Sequence, residues 1–308
     1  MRTLGCLVLG ACGRIAFDSR PDAVTKLDAA DPSPVVVGGS FFRSYDNAGD
    51  QMFTDMSHPA TVSSFRLDRT HITVGQFRAF VAAGMGTQLS PPADGAGAHA
   101  AIANSGWDAS WDASLLADTP SLVAALDGCG TTHTWTDQPT DQEELPLNCI
   151  SWYEAFAFCI WDGGYLPSDA EWNYATSGGS EQRAFPWSTP PEALMVDSSY
   201  ASYECVGDTV PGCALSDISV VGSKPAGNGR WGQADLGGDL YEWLLDESLG
   251  NSYLDPCLDC ASFGPAVQRY ARGGSYRDDH SYMRAGVRSA FDAYVRADVF
   301  GARCARPL

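Results

Sequence analysis

Eight cysteines follow residue 12, and covalent links between them would restrict the fold more than any other feature of the chain. Their number is even and the first residues resemble an export signal, so we expect up to four disulfide bonds. A redox-active dithiol is an alternative for the closest pair, but the βαβ pattern around such dithiols is missing. Local spacing favours Cys205 with Cys213, Cys257 with Cys260, and Cys129 with Cys149.

The first twelve residues have the features of a secretory signal, because Met1-Arg2 precedes an apolar run from Leu4 to Ala11. The run is too short to span a membrane. It ends in Leu9-Gly10-Ala11-Cys12, which resembles a bacterial lipobox, although a chance cysteine is the alternative. We therefore expect a signal peptide over residues 1–12 and lipidation of Cys12. The lipid would anchor the protein in the bacterial cell envelope, either at the outer membrane or in the periplasm.

Residues 13–32 are polar, rich in Asp and Ala and without periodicity, which is typical of a flexible tether. Residues 33–308 are then the expected folded domain. Its many glycines and prolines and its mostly short apolar runs favour turns and short strands, and we predict a loop-rich α+β fold. The net charge of −19 disfavours nucleic acid and anionic lipid surfaces as partners, whereas metal cations suit it. We expect a monomer.

Three capping boxes predict where helices begin. Each has a hydroxyl residue followed three positions later by Gln or Glu: Thr73 and Gln76, Ser151 and Glu154, and Ser168 and Glu171. Apolar stretches at 35–37 and 61–67 predict strands. Residues 84–127 are rich in Gly, Ala, Ser and Asp and have weak periodicity, so we expect a surface insertion there.

Several motifs occur in the order that characterises one protein family. They are Ile150-Ser151-Trp152-Tyr153-Glu154-Ala155, Leu166-Pro167-Ser168-Asp169-Ala170-Glu171-Trp172, Gly178-Gly179, Pro186-Trp187, Val221-Gly222-Ser223, Gly238-Asp239-Leu240-Tyr241-Glu242-Trp243, Arg272-Gly273-Gly274-Ser275 and Gly301-Ala302-Arg303-Cys304. Together they resemble the sulfatase-modifying-factor family, which includes the formylglycine-generating enzymes. The resemblance covers residues 35–308 and implies an elaborated C-type-lectin-like fold with little regular secondary structure. Asp239 and Tyr241 stand where the family motif has Asn and Trp.

The resemblance also implies a fourth disulfide. In some members the cysteine that ends the helix of the first motif pairs with the cysteine of the closing Gly-x-Arg-Cys motif. On that basis we expect Cys159 to pair with Cys304. Such a bridge would close a loop of well over a hundred residues, worth about 4 to 5 kcal/mol in the chain-entropy model.

A calcium site is expected in residues 235–242. A hard cation needs carboxylates and free backbone carbonyls brought together by a tight turn, and this stretch supplies both. In the family the corresponding loop binds structural calcium, and the ligands here would be Asp235, Gly238, Leu240 and Glu242. An acidic turn with solvated carboxylates is the alternative. A second family site would draw on the stretch around Ser202, Tyr203 and Asp217.

The resemblance breaks down at the copper site. Formylglycine-generating enzymes oxidise a substrate cysteine with oxygen, using copper(I) held by two cysteines after the Arg-Gly-Gly-Ser motif. Thiolates suit copper(I), whereas a carboxylate or a thioether alone does not replace the pair. Here Asp278 falls at the first position and Met283 at or beside the second, and no cysteine lies between Cys260 and Cys304. Copper is therefore not expected.

A presumed cleft remains at this position, and its residues are candidates for binding a ligand. They are Ser275, Asp278, Asp279, His280, Tyr282, Met283 and Arg288. One His with two carboxylates is formally a non-haem iron set, but adjacent residues on one loop do not easily all face one ion. We assign no catalytic residue.

Two functions are compatible with the resemblance and the missing cysteines. The first is a binding or accessory module, anchored in the envelope, whose ligand is a protein or a glycan. The alternative is an oxidoreductase of the same superfamily that uses a chemistry other than the copper dicysteine centre. The sequence leaves open whether the chain is an enzyme. A transition metal in the cleft between Asp278 and Arg288 would favour the second function.

Overall fold

The computed structural model describes residues 32–208, 210–264 and 267–308. The expected signal peptide, Cys12 and all but the last residue of the expected tether lie outside the described residues. Within the described ranges, no helix has both the length and the apolar character needed to cross a bilayer.

The regular elements are short, and long connections separate them. The helices are α1 (Val74–Ala82), α2 (Thr119–Asp127), α3 (Trp152–Trp161) and α4 (Asp169–Thr176). The strands are β1 (Val35–Val36), β2 (Gly39–Phe42), β3 (Pro59–Val62), β4 (Phe65–Leu67), β5 (Tyr241–Glu247), β6 (Cys257–Leu258), β7 (Gln268–Arg272), β8 (Ser289–Asp292), β9 (Phe300–Gly301) and β10 (Ala305–Arg306). This mixture is the loop-rich α+β architecture predicted from the composition.

All three predicted capping boxes are present, and each begins a helix. Thr73 caps α1, Ser151 caps α3 and Ser168 caps α4. In each box the hydroxyl accepts the backbone N–H three residues later, and the Gln or Glu side chain accepts the backbone N–H of the cap residue. Two otherwise unpaired N–H groups are thereby bonded at each helix start.

The described strands form three small sheets, with the orders β1-β4-β10, β2-β3-β6 and β8-β7-β5-β9. The stretch predicted as strand at 61–67 contains the end of β3 and all of β4, which belong to different sheets. In the four-stranded sheet, β7 is antiparallel to β5 and β8, and β9 is parallel to β5. This sheet positions Tyr241 at the start of β5 and leads from Arg272 into the loop that follows.

Residues 84–127 contribute several buried side chains to the core, so the segment is more than the surface insertion expected from the sequence. Trp107 is buried against Phe156 of α3, with ring centroids 5.9 Å apart. Leu122 and Leu126 of α2 are also buried. The physical reason lies in α3, whose residues are buried on nearly every side. A helix that is apolar all round needs cover on more than one face, and this segment supplies part of it.

The disulfides agree with the pairs expected from the sequence. They join Cys129 to Cys149, Cys159 to Cys304, Cys205 to Cys213 and Cys257 to Cys260. Each cysteine within the described residues is therefore oxidised. The second of these bonds joins α3 to the residue that precedes β10.

Candidate functional site

A cavity of about 450 Å³ opens beside the four-stranded sheet. Its lining combines aromatic rings, most of them from the sheet, with polar groups, most of them from the loop after β7. The aromatic residues are Tyr241, Tyr282, Phe291 and Phe300, and the polar ones are Ser275, Arg277, Asp278 and Ser289. A cavity with apolar walls and a few convergent polar groups is the usual form of a ligand site.

Two glycines allow the chain to turn from β7 into this loop. Gly273 and Gly274 have φ angles of +100° and +71°, which residues with a side chain rarely adopt. A Cβ on Gly274 would also lie 3.1 Å from the Cβ of Tyr282. The Arg-Gly-Gly-Ser motif therefore sets the backbone that brings Ser275 and Tyr282 to the cavity.

Ser275 holds the carboxylate of Asp278 in place. The backbone N–H of Ser275 donates to Oδ2 of Asp278 at 3.0 Å, and the Ser275 hydroxyl donates to the same oxygen. Burial raises the pKa of Tyr241, and the charge of Asp278, which lies within hydrogen-bond reach of the phenol, raises it further. The structure thus unites the expected residues Ser275, Asp278 and Tyr282 with Tyr241. The only sequence signal for Tyr241 was its place in the family motif.

Arg277 also lines the cavity and is not among the residues expected from the sequence. Its guanidinium donates to the hydroxyl of Tyr276 at 2.7 Å, to Oγ1 of Thr132 at 3.0 Å and to Oδ2 of Asp298 at 2.5 Å. Because 42% of its side chain stays exposed, the positive charge is accessible from solvent. Its position in the chain, one residue before Asp278, was the available signal.

Two residues expected in the cleft lie elsewhere. Met283 is buried against Phe185 and Trp187, because an apolar thioether is more stable in this small core than beside polar groups. Arg288 forms an ion pair with Asp169 at 3.4 Å and lies over the ring of Tyr253, 3.6 Å from its centroid. Opposite charge and an aromatic face draw it away from the cavity.

Asp279 and His280 form a separate, exposed cluster with Glu204. Nδ1 of His280 lies 3.5 Å from Oε1 of Glu204 and 3.5 Å from Oδ2 of Asp279. The two loops are joined by the backbone N–H of Glu204, which donates to the carbonyl of Asp278 at 2.9 Å. Hydrogen bonds from Ser281 lower the pKa of Asp279. These three side chains could hold a transition metal, with Glu204 in the role expected for Asp278.

Three of the four residues expected to bind calcium, Asp235, Leu240 and Glu242, already have an oxygen in contact with another group. Both carboxylate oxygens of Glu242 accept hydrogen bonds from Arg303 at 2.7 Å. The carbonyl oxygen of Leu240 lies 3.3 Å from Nε2 of His71. Oδ2 of Asp235 accepts a backbone N–H at 2.6 Å. A calcium ion takes six to eight oxygen ligands. Because Glu242 is bound to Arg303 and the carbonyl of Leu240 faces His71, these oxygens do not fit a calcium ion in this arrangement.

The second expected calcium site is likewise bonded internally. The hydroxyl of Ser202 donates to the carbonyl of Asp217. The carboxylate of Asp217 accepts the backbone N–H groups of Asp208 at 3.3 Å and Ala214 at 2.8 Å. Tyr203 lies at the neighbouring cluster, 6.1 Å from the ring of His280. Asp217 therefore acts as a cap for its own turn.

The model of one protein family, described as the sulfatase-modifying factor enzyme 1-like domain, matches residues 21–308. The chain belongs to this family. It is 28% identical over 283 residues to the formylglycine-generating enzyme of Streptomyces coelicolor, covering 87% of this chain and 85% of that enzyme. It is 26% identical over 264 residues to the hercynine oxygenase of Mycolicibacterium thermoresistibile, covering 79% of this chain and 51% of that enzyme.

A solved structure confirms the expected fold of the sulfatase-modifying-factor family. The structure of PvdO from Pseudomonas aeruginosa superposes with a TM-score of 0.61 at 20% identity, covering 89% of this chain and 93% of PvdO. The match to mammalian members is more limited, because the chain spans less than half of the mouse and bovine formylglycine-generating enzymes that it matches.

Proposed function

We propose that this member of the sulfatase-modifying-factor family does not generate formylglycine and acts as a binding or accessory module. The observation that carries the proposal is the oxidation state of the cysteines, since each one in the described residues is paired in a disulfide. Copper(I) needs thiolates, and Asp278 takes the first position of the copper-binding pair. Ser275 holds that carboxylate inside the cavity.

The lining of the cavity supports a polar ligand with an apolar face. Tyr282 and Phe291 provide flat apolar surface, Asp278 accepts hydrogen bonds and Arg277 supplies an accessible cation. Aromatic rings combined with a carboxylate suit a sugar, which has an apolar C–H face and hydroxyl donors. We therefore propose a glycan as the ligand.

Glycan-array binding by the full-length protein, followed by calorimetry with the glycan that binds most tightly, tests this proposal. Tyr282→Ala and Asp278→Asn should each weaken binding by roughly tenfold or more, because each removes a cavity contact. Tyr294→Ala is the matched control, because this tyrosine is 49% exposed and does not line the cavity. Equal affinity of all three variants would contradict the site. Oxygen consumption with copper(I) and a cysteine-containing peptide would contradict the proposed lack of formylglycine chemistry.

An oxidoreductase with a different metal is the second candidate, and the cluster of Glu204, Asp279 and His280 favours it. Metal analysis of the purified protein tests it directly. Stoichiometric iron or manganese that is lost in both Glu204→Gln and His280→Ala would support this candidate. Retention of the metal in both variants would show that it binds outside the cluster of Glu204, Asp279 and His280. The cluster would then no longer favour an oxidoreductase.

We also propose that the protein is anchored in the envelope through Cys12. The support is the lipobox-like sequence Leu9-Gly10-Ala11-Cys12. Labelling of cells with a radioactive fatty acid should mark the wild-type protein and not Cys12→Ser. Labelling of both proteins, or of neither, would contradict the anchor.

A further inference from the structure

Glu242 is a buried carboxylate whose charge is balanced from within the chain. Arg303 donates to it twice, from Nε to Oε2 and from Nη2 to Oε1, each at 2.7 Å. The indole N–H of Trp172 donates to Oε2 at 2.8 Å. Two parallel bonds between a guanidinium and a carboxylate are among the strongest pairings in proteins. A divalent ion at this carboxylate would therefore compete with a cation that is already bound.

Arg303 is fixed in this position by the surrounding backbone. Its other donor contacts reach four backbone carbonyls, at residues 68, 69, 234 and 235, over 2.9 to 3.1 Å. The next residue, Cys304, is joined to Cys159 by a disulfide. Moving the guanidinium away from Glu242 would break several buried hydrogen bonds together, which is costly because both side chains are buried.

His71 lies close to two of the oxygens expected to bind calcium, the carbonyl oxygen of Leu240 and Oε1 of Glu242. Its Nε2 is 3.3 Å from the carbonyl oxygen of Leu240 and 3.3 Å from Oε1 of Glu242. The ring is buried, and its Nδ1 has no hydrogen-bond partner in the described part of the chain. A neutral ring with its hydrogen on Nε2 therefore leaves no buried N–H without an acceptor.

We infer that His71, next to the ion pair of Glu242 with Arg303, takes the place of the calcium ion at the loop from Asp235 to Glu242, so that this loop is stable without a metal. Arg303 balances the charge of Glu242, and His71 directs its N–H at the carbonyl oxygen of Leu240 and occupies the space beside Oε1 of Glu242. The loop adjoins the ligand cavity through Tyr241, but the inference concerns the expected calcium ligands and does not rest on the proposed function.

The test measures calcium binding and melting temperature of the full-length protein in calcium and in EGTA. The wild-type melting temperature should be the same in both solutions, and Asp235→Asn should not change the amount of calcium bound. His71→Ala frees the carbonyl oxygen of Leu240 and opens the space beside Oε1 of Glu242, while the bonds from Arg303 to Glu242 remain. We expect this variant to melt below the wild type in EGTA and to recover several degrees in calcium, because an ion that binds only the folded state stabilises it.

His99→Ala is the matched control, because His99 also contacts a buried glutamate, Glu171, at 3.2 Å but lies outside this loop. It should melt lower than the wild type without any recovery in calcium. A wild-type response to calcium that Asp235→Asn abolishes would overturn the inference. The absence of a calcium response in His71→Ala would overturn the role of His71. If His71→Ala does not fold, the wild type and Asp235→Asn decide whether the loop needs calcium, and His71→Asn replaces the alanine variant.

Discussion

Arg272 and Asp169 form a salt bridge inside the core, with Nε of the arginine 2.6 Å from Oδ1 of the aspartate. Their side chains are 0% and 4% exposed, and the pair joins β7 to the first turn of α4. Arg272→Gln would leave a buried carboxylate without its closest partner. We expect the free energy of unfolding to fall by about 3 to 5 kcal/mol, as measured by urea-induced unfolding.

The pair of Arg277 and Asp298 provides the comparison for this prediction. Its distance is as short, at 2.5 Å, but 42% of the arginine side chain is exposed. Arg277→Gln should therefore cost less than about 1 kcal/mol, because water screens an exposed pair. Equal losses of unfolding free energy in Arg272→Gln and Arg277→Gln would show that burial does not determine how much each ion pair stabilises the fold.

The pair of His99 and Glu171 predicts a pH dependence. Burial lowers the pKa of His99, but the hydrogen bond and the charge of Glu171 raise it more, and the net shift is upward from 6.5. A raised pKa means that the protonated ring stabilises the fold. This contribution is complete below the unfolded value and is lost as the pH rises through the folded pKa. The wild type should lose stability relative to His99→Gln as the pH rises above 6.5, as followed by chemical denaturation. A difference in unfolding free energy between the wild type and His99→Gln that does not change with pH would contradict the prediction.

The neighbours Tyr282 and Met283 should respond differently to truncation. Met283 is buried in the small core with Phe185 and Trp187, whereas Tyr282 is 43% exposed at the cavity. Met283→Ala should lower the free energy of unfolding by about 2 to 5 kcal/mol. Tyr282→Ala should change it by less than about 1 kcal/mol. Urea-induced unfolding measures both free energies. A larger loss for Tyr282→Ala than for Met283→Ala would show that Tyr282, and not Met283, is the core residue.

Removal of the disulfide between Cys159 and Cys304 should be the most costly loss of a crosslink. The bridge spans 145 residues, whereas Cys257 and Cys260 are 3 residues apart. In the chain-entropy model the long loop is worth about 5 kcal/mol and a very short loop far less. Paired Cys→Ala variants at each bridge, compared by guanidinium-induced unfolding, measure this difference. A larger loss of unfolding free energy on removal of the Cys257–Cys260 bond would mean that the entropy of loop closure does not determine the contribution of each disulfide.

Much of this fold could be predicted from local signals. The boxes at Ser151 and Ser168 marked helix starts because the groups that form a capping box lie within four residues of each other. Residues 84–127 were harder, since the burial of Trp107 depends on α3, which begins 45 residues later. An isolated tryptophan in a Gly-rich segment was the only local sign of a buried anchor.

In the candidate site, too, contacts between residues close in sequence could be predicted, whereas contacts between distant segments could not. Ser275 and Asp278 are three residues apart, and the sequence could place them together. Glu204 joins Asp279 and His280 only through a contact between two distant loops, which no spacing in the chain reveals. The alternative partners of Glu242 were also hidden, because Arg303 and His71 come from opposite ends of the domain.

The first and last strands of the described residues lie in one sheet, because Arg66 of β4 pairs with Val35 of β1 on one edge and with Arg306 of β10 on the other. Two strand spacings, about 10 Å, therefore separate the entry and exit of the folded body. A domain built in this way can be spliced into a surface loop of a host protein, or circularly permuted through a short linker, without rerouting the chain across its core. A domain of this architecture is therefore suited to transfer, as a unit, from one host protein to another.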